Sequence, residues 1–301
     1  MVGEKYMAPG HRTCAGCGSA IIFRHVLEAL GEDVILCQAT GCMEVTTTPY
    51  PETSFKVPWI HVVFENAASV ASGVKRALKM KGNNHTRVVA IGGDGGMIDI
   101  GFGAVSGAIE RQEDIIIIVY DNEAYSNTGL QRSGGTPFGA STTTSPAGKK
   151  IPGKQEWKKD ICMIGLMHRA KYVASANPAF WQDLQAKVKK AYDMEGGPRL
   201  IHILAPCPVG WHFDSSKTIE ISKLAVETGL WMLYEVEEGN LKINYKPNPF
   251  KPVEDYLLMQ GRFKHLANNK EMIRKIEEHV KKRWEMMEKV EKEGINLLDL
   301  A

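Results

Sequence analysis

The segment "DIIIIVYDNEAY", residues 114–125, limits the fold more than any other. Its apolar run, Ile115 to Tyr120, fills consecutive positions, not alternate ones. A strand with one face in water alternates; a strand apolar on both faces lies between two layers, as parallel strands do. Parallel neighbours need crossovers, usually helical, and the rest of the chain supplies them. "AIIFRHVLEALG" (20–31) has helical spacing and a terminal glycine that can cap it. "DVILCQAT" (33–40) reads as a short buried strand and "ENAASVASGVKRALKMKG" (65–82) as a small-residue helix. "TRVVAIGGDGG" (86–96) is a strand running into a glycine turn, followed by a helix over "IGFGAVSGAIERQ" (100–112). A helix over about 157–170, the strand "KYVASA", the helix "NPAFWQDLQAKVKKAYDM" and the strand "RLIHILAPC" (199–207) continue the alternation. Such alternation predicts a wound α/β fold with a mostly parallel sheet.

Two stretches break it. Residues 126–155 carry almost no helix or strand signal, and a structureless stretch that long is usually functional or disordered. Beyond about Pro208 the pattern weakens. A β-hairpin is expected within 227–245, turning at Glu238 to Asn240, and then a long charged helix over roughly 266–292. Met272, Ile273, Ile276, Val280, Trp284, Met287 and Val290 recur along that helix at three- and four-residue steps, an apolar stripe for packing on the body or on a partner. With 301 residues the chain has room for one large domain and an appendage, divided here at 1–212 and 213–301.

Composition removes several classes. A net charge of +2 gives no footprint for nucleic acid. The run "IIIIVY" is far short of the roughly 20 residues that span a bilayer, so no membrane role is expected. The start "MVGEKYMAPGHR" lacks a signal pattern, which leads to a cytoplasmic expectation. In that compartment clustered cysteines serve metal or redox chemistry more often than disulfides.

The glycine turn "VVAIGGDGGMIDIG" is not a dinucleotide fingerprint: counted from Gly93, Ile98 stands where the last glycine belongs. Asp94 inside the turn would also face a pyrophosphate directly. A divalent cation removes that conflict, with Asp94 giving one hard oxygen and phosphate oxygens giving others. Gly93, Gly95 and Gly96 let the backbone approach the phosphates. A second ligand is expected from the neighbouring strand end, where open α/β sheets bind ligands. Asn122 sits there, with 26 residues between it and Gly95. A Gly-Asp-Gly followed at that interval by asparagine is the diphosphate–Mg²⁺ signature of thiamine diphosphate enzymes.

Cys14 and Cys17 form a CxxC; Cys42 follows in "ATGCMEV" and Cys207 in "APCPVG", each at a strand end. Strand ends of a wound sheet share one edge, so four thiolates can converge. That set suits a [4Fe-4S] cluster or structural zinc equally, and spacing alone leaves both open. Cys37 and Cys162 fall inside apolar elements and read as core. His11, His25, His61 and His202 read as satisfied neighbours, and Glu44 and Glu65 as structural.

The segments "CAGCGSAI", "GCMEV", "GGDGGMIDIGFGAV", "YDNEAYSNTGLQRSGGTPFGASTTTSPAGK" and "APCPVGW", in that order over about residues 8–212, resemble the thiamine-binding β subunit of the 2-oxoacid:ferredoxin oxidoreductase family, in its pyruvate-oxidising (pyruvate synthase) branch. The resemblance implies a sheet of the thiamine diphosphate-binding type, with 1–212 holding thiamine diphosphate and an iron–sulfur cluster and 213–301 contacting other subunits. It implies Mg²⁺ ligation by Asp94, Asn122 and the Ala124 carbonyl. Gly93 to Gly96 and Asn122, Glu123, Ala124, Tyr125, Ser126 and Asn127 become walls of the diphosphate site, with Asn127 near the reacting 2-oxoacid. Ser19 and Cys42 become cofactor contacts, and Cys14, Cys17, Cys42 and Cys207 the ligands of a [4Fe-4S] cluster. The implied activity is reversible oxidative decarboxylation of pyruvate to acetyl-CoA and CO₂ with ferredoxin as acceptor. It requires coenzyme A, an α subunit bearing the activating glutamate, a γ subunit and a ferredoxin-like δ subunit. The alternatives are the same chemistry on oxalate, a branched-chain 2-oxoacid or 2-oxoglutarate, a non-oxidative thiamine lyase with structural zinc, and a non-enzymatic cofactor scaffold.

Overall fold

The computed structural model describes residues 5–148 and 150–300. Its strands are β1 (Val34–Ala39), β2 (Trp59–Val62), β3 (Arg87–Gly93), β4 (Ile116–Asp121), β5 (Tyr172–Ala176), β6 (Arg199–Leu204), β7 (Leu233–Glu237) and β8 (Asn240–Tyr245). They form one sheet in the order β2-β1-β3-β4-β6-β5-β7-β8. The first six are parallel, while β7 runs antiparallel to β5 and β8 antiparallel to β7. As the sequence predicts, β4 is central and buried throughout.

The helices are α1 (Gly18–Leu30), α2 (Cys42–Thr47), α3 (Ala67–Met80), α4 (Phe102–Glu110), α5 (Ile161–Met167), α6 (Trp181–Asp193), α7 (Pro208–Trp211), α8 (Thr218–Glu227), α9 (Val253–Leu258) and α10 (Lys270–Glu293). Strand side chains alternate between two faces. Ala90, Ile117 and Val119 meet the layer of α3, α4, α5, α8, α9 and α10. Val89, Ile91, Ile116, Ile118 and Tyr120 meet the layer of α1, α2 and α6. The expected hairpin forms, and the expected stripe on α10 buries Met272, Ile273, Ile276, Val280, Trp284 and Met287. Leu233 and Trp284 share one core with Val173 and Leu200, so the C-terminal segment extends the sheet and closes one of its faces.

The path leaves β1 toward β2 and leaves β3 toward β4, in opposite directions across the sheet. The carboxyl ends of β1 and β3 therefore flank a switch point, the place where such sheets open a crevice. Residue 42 follows β1 and residue 94 follows β3, so Cys42 and Asp94 face that crevice from its two sides.

Some elements differ from the sequence expectation. The helix expected over about 157–170 begins at Ile161, where Asp160 caps it by accepting from the Met163 N–H at 3.2 Å. Lys158 and Lys159 are held outside it by ion pairs to Asp121, Glu123 and Asp99. Between Asp94 and α4 lies a π-helical turn, Gly95–Asp99, a form that recurs at functional sites. Elements β2, α2, α7, α8 and α9 have no sequence counterpart in the reading above.

Candidate active site

Gly93, the last residue of β3, pairs with Tyr120 on β4, so Asp94 and Asp121 leave the sheet side by side. Asn122 comes next. Its side-chain oxygen stands 3.1 Å from Asp94 Oδ1 and 2.8 Å from the Ala124 carbonyl oxygen. In that orientation the amide oxygen faces two other acceptors. With Asp94 ionised, the group is satisfied in one of two ways. Either the amide turns over and donates to Asp94, Ala124 and Ser126, or a cation takes the centre. Octahedral Mg²⁺ with ligands at about 2.0–2.1 Å sets adjacent oxygens about 2.9 Å apart. The separations of the Asn122 side chain from Asp94 and from Ala124 fit that spacing.

Asp94 is fully buried, and the Ser133 hydroxyl donates to its Oδ2. Burial first, and then the charge of Asp121, hold its carboxyl well above the usual carboxylate range. A carboxyl so placed gains from an added cation. Gly135 closes the pocket from the long loop: a Cβ there would sit 2.8 Å from Asp121 Oδ1 and 2.9 Å from Asp94 Oδ2. Burial would likewise push Asp121 up, but Lys158 Nζ at 2.7 Å and His202 Nε2 at 2.7 Å outweigh it and hold it at about 2.

Glu123 takes a left-handed backbone, φ 66°, uncommon for a non-glycine residue and typical of a tight functional turn. Its side chain turns inward to Lys158 at 2.8 Å and to Arg262, and its carbonyl accepts from Thr136 Oγ1 at 2.7 Å. The carboxylate belongs to this ion network, away from the three oxygens. Tyr125 packs its ring against Gly95, where a Cβ would lie 2.6 Å from the ring, and donates its hydroxyl to Asp99 Oδ2 at 2.9 Å. Ser126 donates to Asn122 Oδ1 at 2.8 Å and also acts on the Cys207 thiol. Asn127 is exposed at the rim.

The cysteines gather on the other side of the crevice. Cys17 caps α1, Cys42 opens α2, and Cys207 caps α7, its sulfur accepting from the Gly210 N–H at 3.2 Å. The CxxC loop is fastened to both other segments. Arg12 N–H donates to the Thr46 carbonyl at 2.7 Å and Gly18 N–H to the Pro206 carbonyl at 3.0 Å. Burial pushes the Cys42 thiol up to about 12, and Cys207, Cys17, Cys14 and Asp94 add to that. All four expected thiols thus lie within electrostatic reach of one another, Asp94 among them. Packed sulfurs of this kind resist ionisation until a metal centre takes the charge. Among the described residues no group of three or more His, Cys, Asp or Glu side chains is arranged to hold a single metal ion. Ser19 is buried beside Cys17 and acts on its thiol. Cys37 and Cys162 are core residues, as expected.

Two residues at the site, Lys158 and Arg262, carry no sequence signal; Ser133, Gly135 and Trp211 lie in segments that carry the family resemblance, and His202, read as a satisfied neighbour, pairs with Asp121. Trp211 Nε1–H donates to the Asn122 carbonyl at 2.9 Å, tying the Cys207 loop to the Asn122 turn. A cavity of about 460 Å³ opens behind the ion network, between Lys158, His202, Trp231 and α10 at His279 and Arg283. Asp94, Asn122 and the four cysteines do not line it.

A parallel sheet with a Gly-Asp-Gly turn and an asparagine converging at adjacent strand ends defines the thiamine diphosphate-binding class. The family described as "Thiamine pyrophosphate enzyme, C-terminal TPP binding domain" matches residues 39–203. Pyruvate synthase subunit PorB of Methanothermobacter marburgensis is 53% identical over 277 residues, covering 92% of this chain and 95% of that one. PorB of Pyrococcus furiosus is 44% identical over 312 residues, covering 94% of each. Ketoisovalerate oxidoreductase subunit VorB of Pyrococcus abyssi is 42% identical over 295 residues, covering 95% and 94%. The chain belongs to this family of thiamine pyrophosphate-binding oxidoreductase subunits, with the PorB chains among its relatives. The fold is shared with the 2-oxoglutarate:ferredoxin oxidoreductase from Magnetococcus marinus solved with 2-oxoglutarate, coenzyme A and succinyl-CoA. That match has TM-score 0.59 and 22% identity and covers 74% of this chain and 80% of the other. Among the described residues no helix is long and apolar enough to cross a membrane.

Proposed function

We propose that this chain is the thiamine diphosphate- and cluster-binding subunit of a pyruvate:ferredoxin oxidoreductase. The observation that carries the reading is the convergence of the Asp94 carboxyl, the Asn122 side-chain amide and the Ala124 carbonyl at the ends of β3 and β4. They would hold Mg²⁺, with Gly93 to Gly96 giving the diphosphate room. Cys14, Cys17, Cys42 and Cys207, which lie within electrostatic reach of one another, would hold a [4Fe-4S] cluster. When bound, thiamine diphosphate supplies the nucleophilic carbon that releases CO₂ from a 2-oxoacid, and the cluster accepts electrons singly.

The chain's own residues do the rest. Ser133 and Lys158 orient and balance the two aspartates, so that Asp94 meets the metal and Asp121 stays behind as a fixed anion. Tyr125 and Gly95 shape the turn on which the diphosphate rests. Asn127, at the exposed rim, is a contact for the 2-oxoacid. Residues 1–212 carry the site, while 213–301 brace the sheet and offer surface to neighbouring subunits. The α, γ and δ subunits, coenzyme A and ferredoxin complete the reaction in a cytoplasmic, anaerobic setting. Pyruvate is favoured by the PorB relatives, and a branched-chain 2-oxoacid is the second reading, favoured by the VorB relative.

Anaerobic purification with iron, sulfide, zinc and thiamine analysis tests the assignment. The expected result is a brown protein absorbing near 400 nm with roughly four irons per chain and bound thiamine diphosphate. A colourless chain with one zinc contradicts it.

A further inference from the structure

The cavity of about 460 Å³ between the sheet and α10 has no part in the reading above, since neither Asp94 and Asn122 nor the four cysteines line it. Its size lies within the range of small-molecule sites. Leu230, Trp231, Met232, Ile276 and Met287 give it an apolar wall. Trp157, His279, Lys282 and Met286 also line it and are exposed, which sets its mouth beside α10. Where Lys158 and His202 line it, their partners are already in place: Lys158 pairs with Asp121 and Glu123, and His202 with Asp121.

One polar group of the lining has no partner. Tyr234, on β7, is 1% exposed, and its hydroxyl makes no hydrogen bond among the described residues. A buried O–H that stays unpaired is unusual enough to require an explanation. The polar groups that line the cavity with it and act on the phenol are Cys162, Asp160 and Arg283. The Cys162 thiol is directed at the Ala174 carbonyl, 3.7 Å away. Arg283 can only donate. Asp160 is the acceptor of the three, and both its oxygens are engaged. Oδ1 accepts from the Met163 N–H at 3.2 Å, and Oδ2 holds Arg283 at 2.7 Å. These groups therefore leave the phenol proton without an acceptor.

We propose that the cavity is a binding site for a small monocarboxylate with an apolar body, its carboxylate accepting from the Tyr234 hydroxyl and the Arg283 guanidinium. A carboxylate there gives the phenol its missing acceptor and makes charge-assisted bonds with the guanidinium. The apolar wall takes the body of the ligand and removes it from water. A neutral apolar molecule would fill the same space but leave the guanidinium without a second anion. The site makes no use of the thiamine or cluster reading, so either can fail alone.

Calorimetric titration of the full chain with sodium octanoate tests this, with octanol as the uncharged counterpart. Tryptophan fluorescence follows the same titrations, because Trp157 and Trp231 line the cavity. The expected result is one saturable octanoate site, at least about tenfold tighter than that for octanol. Tyr234→Phe keeps the ring and removes only the hydroxyl. It is expected to melt at the wild-type temperature, since that hydroxyl bonds nothing in the empty chain, and to lose about tenfold in octanoate affinity. Absence of saturable octanoate binding overturns the proposal and leaves the hydroxyl to solvent. Equal affinity for octanol overturns it too, as does wild-type octanoate affinity in Tyr234→Phe. If Tyr234→Phe is destabilised, Arg283→Lys decides, because lysine keeps the charge toward Asp160 but not the planar fork. Weakened octanoate binding in that variant supports the proposal, and unchanged binding overturns it.

Discussion

Ser126 joins the two halves of the site, since its hydroxyl donates to Asn122 Oδ1 and acts on Cys207. Removing a group that orients a metal ligand costs about 10–100-fold in metal affinity. Ser126→Ala is therefore expected to weaken Mg²⁺-dependent cofactor binding by about that factor while iron content stays constant, as calorimetry and metal analysis would show. Asp121 gives a pH prediction. Its carboxyl is held at about 2, below its ordinary value, so the unfolded chain binds the proton more readily. Stability from this group is complete above the ordinary carboxylate range and is lost as pH falls toward about 2. The melting temperature of Asp121→Asn is expected to fall less steeply than wild type between pH 5 and pH 2; parallel curves would contradict this. Asp94 and Asn122 were legible because a short motif and a fixed interval encode them. Lys158 and Arg262 were not, because the lysine reaches Asp121 and Glu123 and the arginine reaches Glu123 from distant segments, and only the folded sheet brings them together; His202, read as a satisfied neighbour, is one through Asp121.

At the scale of elements, the CxxC loop depends on one backbone position. Gly16 has φ 67°, and a Cβ there would lie 2.1 Å from the Ser215 carbonyl oxygen. Gly16→Ala is expected to displace the loop and lower iron occupancy, while far-ultraviolet circular dichroism stays unchanged. Helix α10 fills the face that β7 and β8 extend, and Trp284 anchors it with its indole N–H on the Gly229 carbonyl at 2.9 Å. Truncating a buried aromatic of this kind costs about 3–5 kcal/mol, so Trp284→Ala should lower the unfolding midpoint in denaturant. The periodic stripe made α10 readable in advance. Strand β2 is four residues long with two of them exposed, and "CMEVTT" of α2 is short and rich in β-branched residues. Such segments take their form from packing, not from a period, and sequence patterning passes over them. The late start of α5 has the same origin, because Lys158 and Lys159 serve distant carboxylates instead of a helical turn.

At the scale of the molecule, the wound order of the sheet does the functional work. Reversal of direction between β1 and β3 opens an edge where Cys42 and Asp94 confront each other, and the long loop from 126 to 155 folds over it through Ser133, Gly135 and Thr136. The alternation of strands and helices was enough to foresee that layout and the shared edge, and the motifs were enough to foresee what gathers there. The antiparallel attachment of β7 to β5 was not foreseeable, because a hairpin's sequence states its own turn and not its neighbour. The most direct test is the cofactor and metal content of Asp94→Ala. If Asp94 holds the magnesium of the diphosphate site and the thiols hold a separate cluster, the variant loses thiamine diphosphate by more than about 100-fold in affinity and keeps its iron. Retention of the cofactor at wild-type affinity would contradict the assignment.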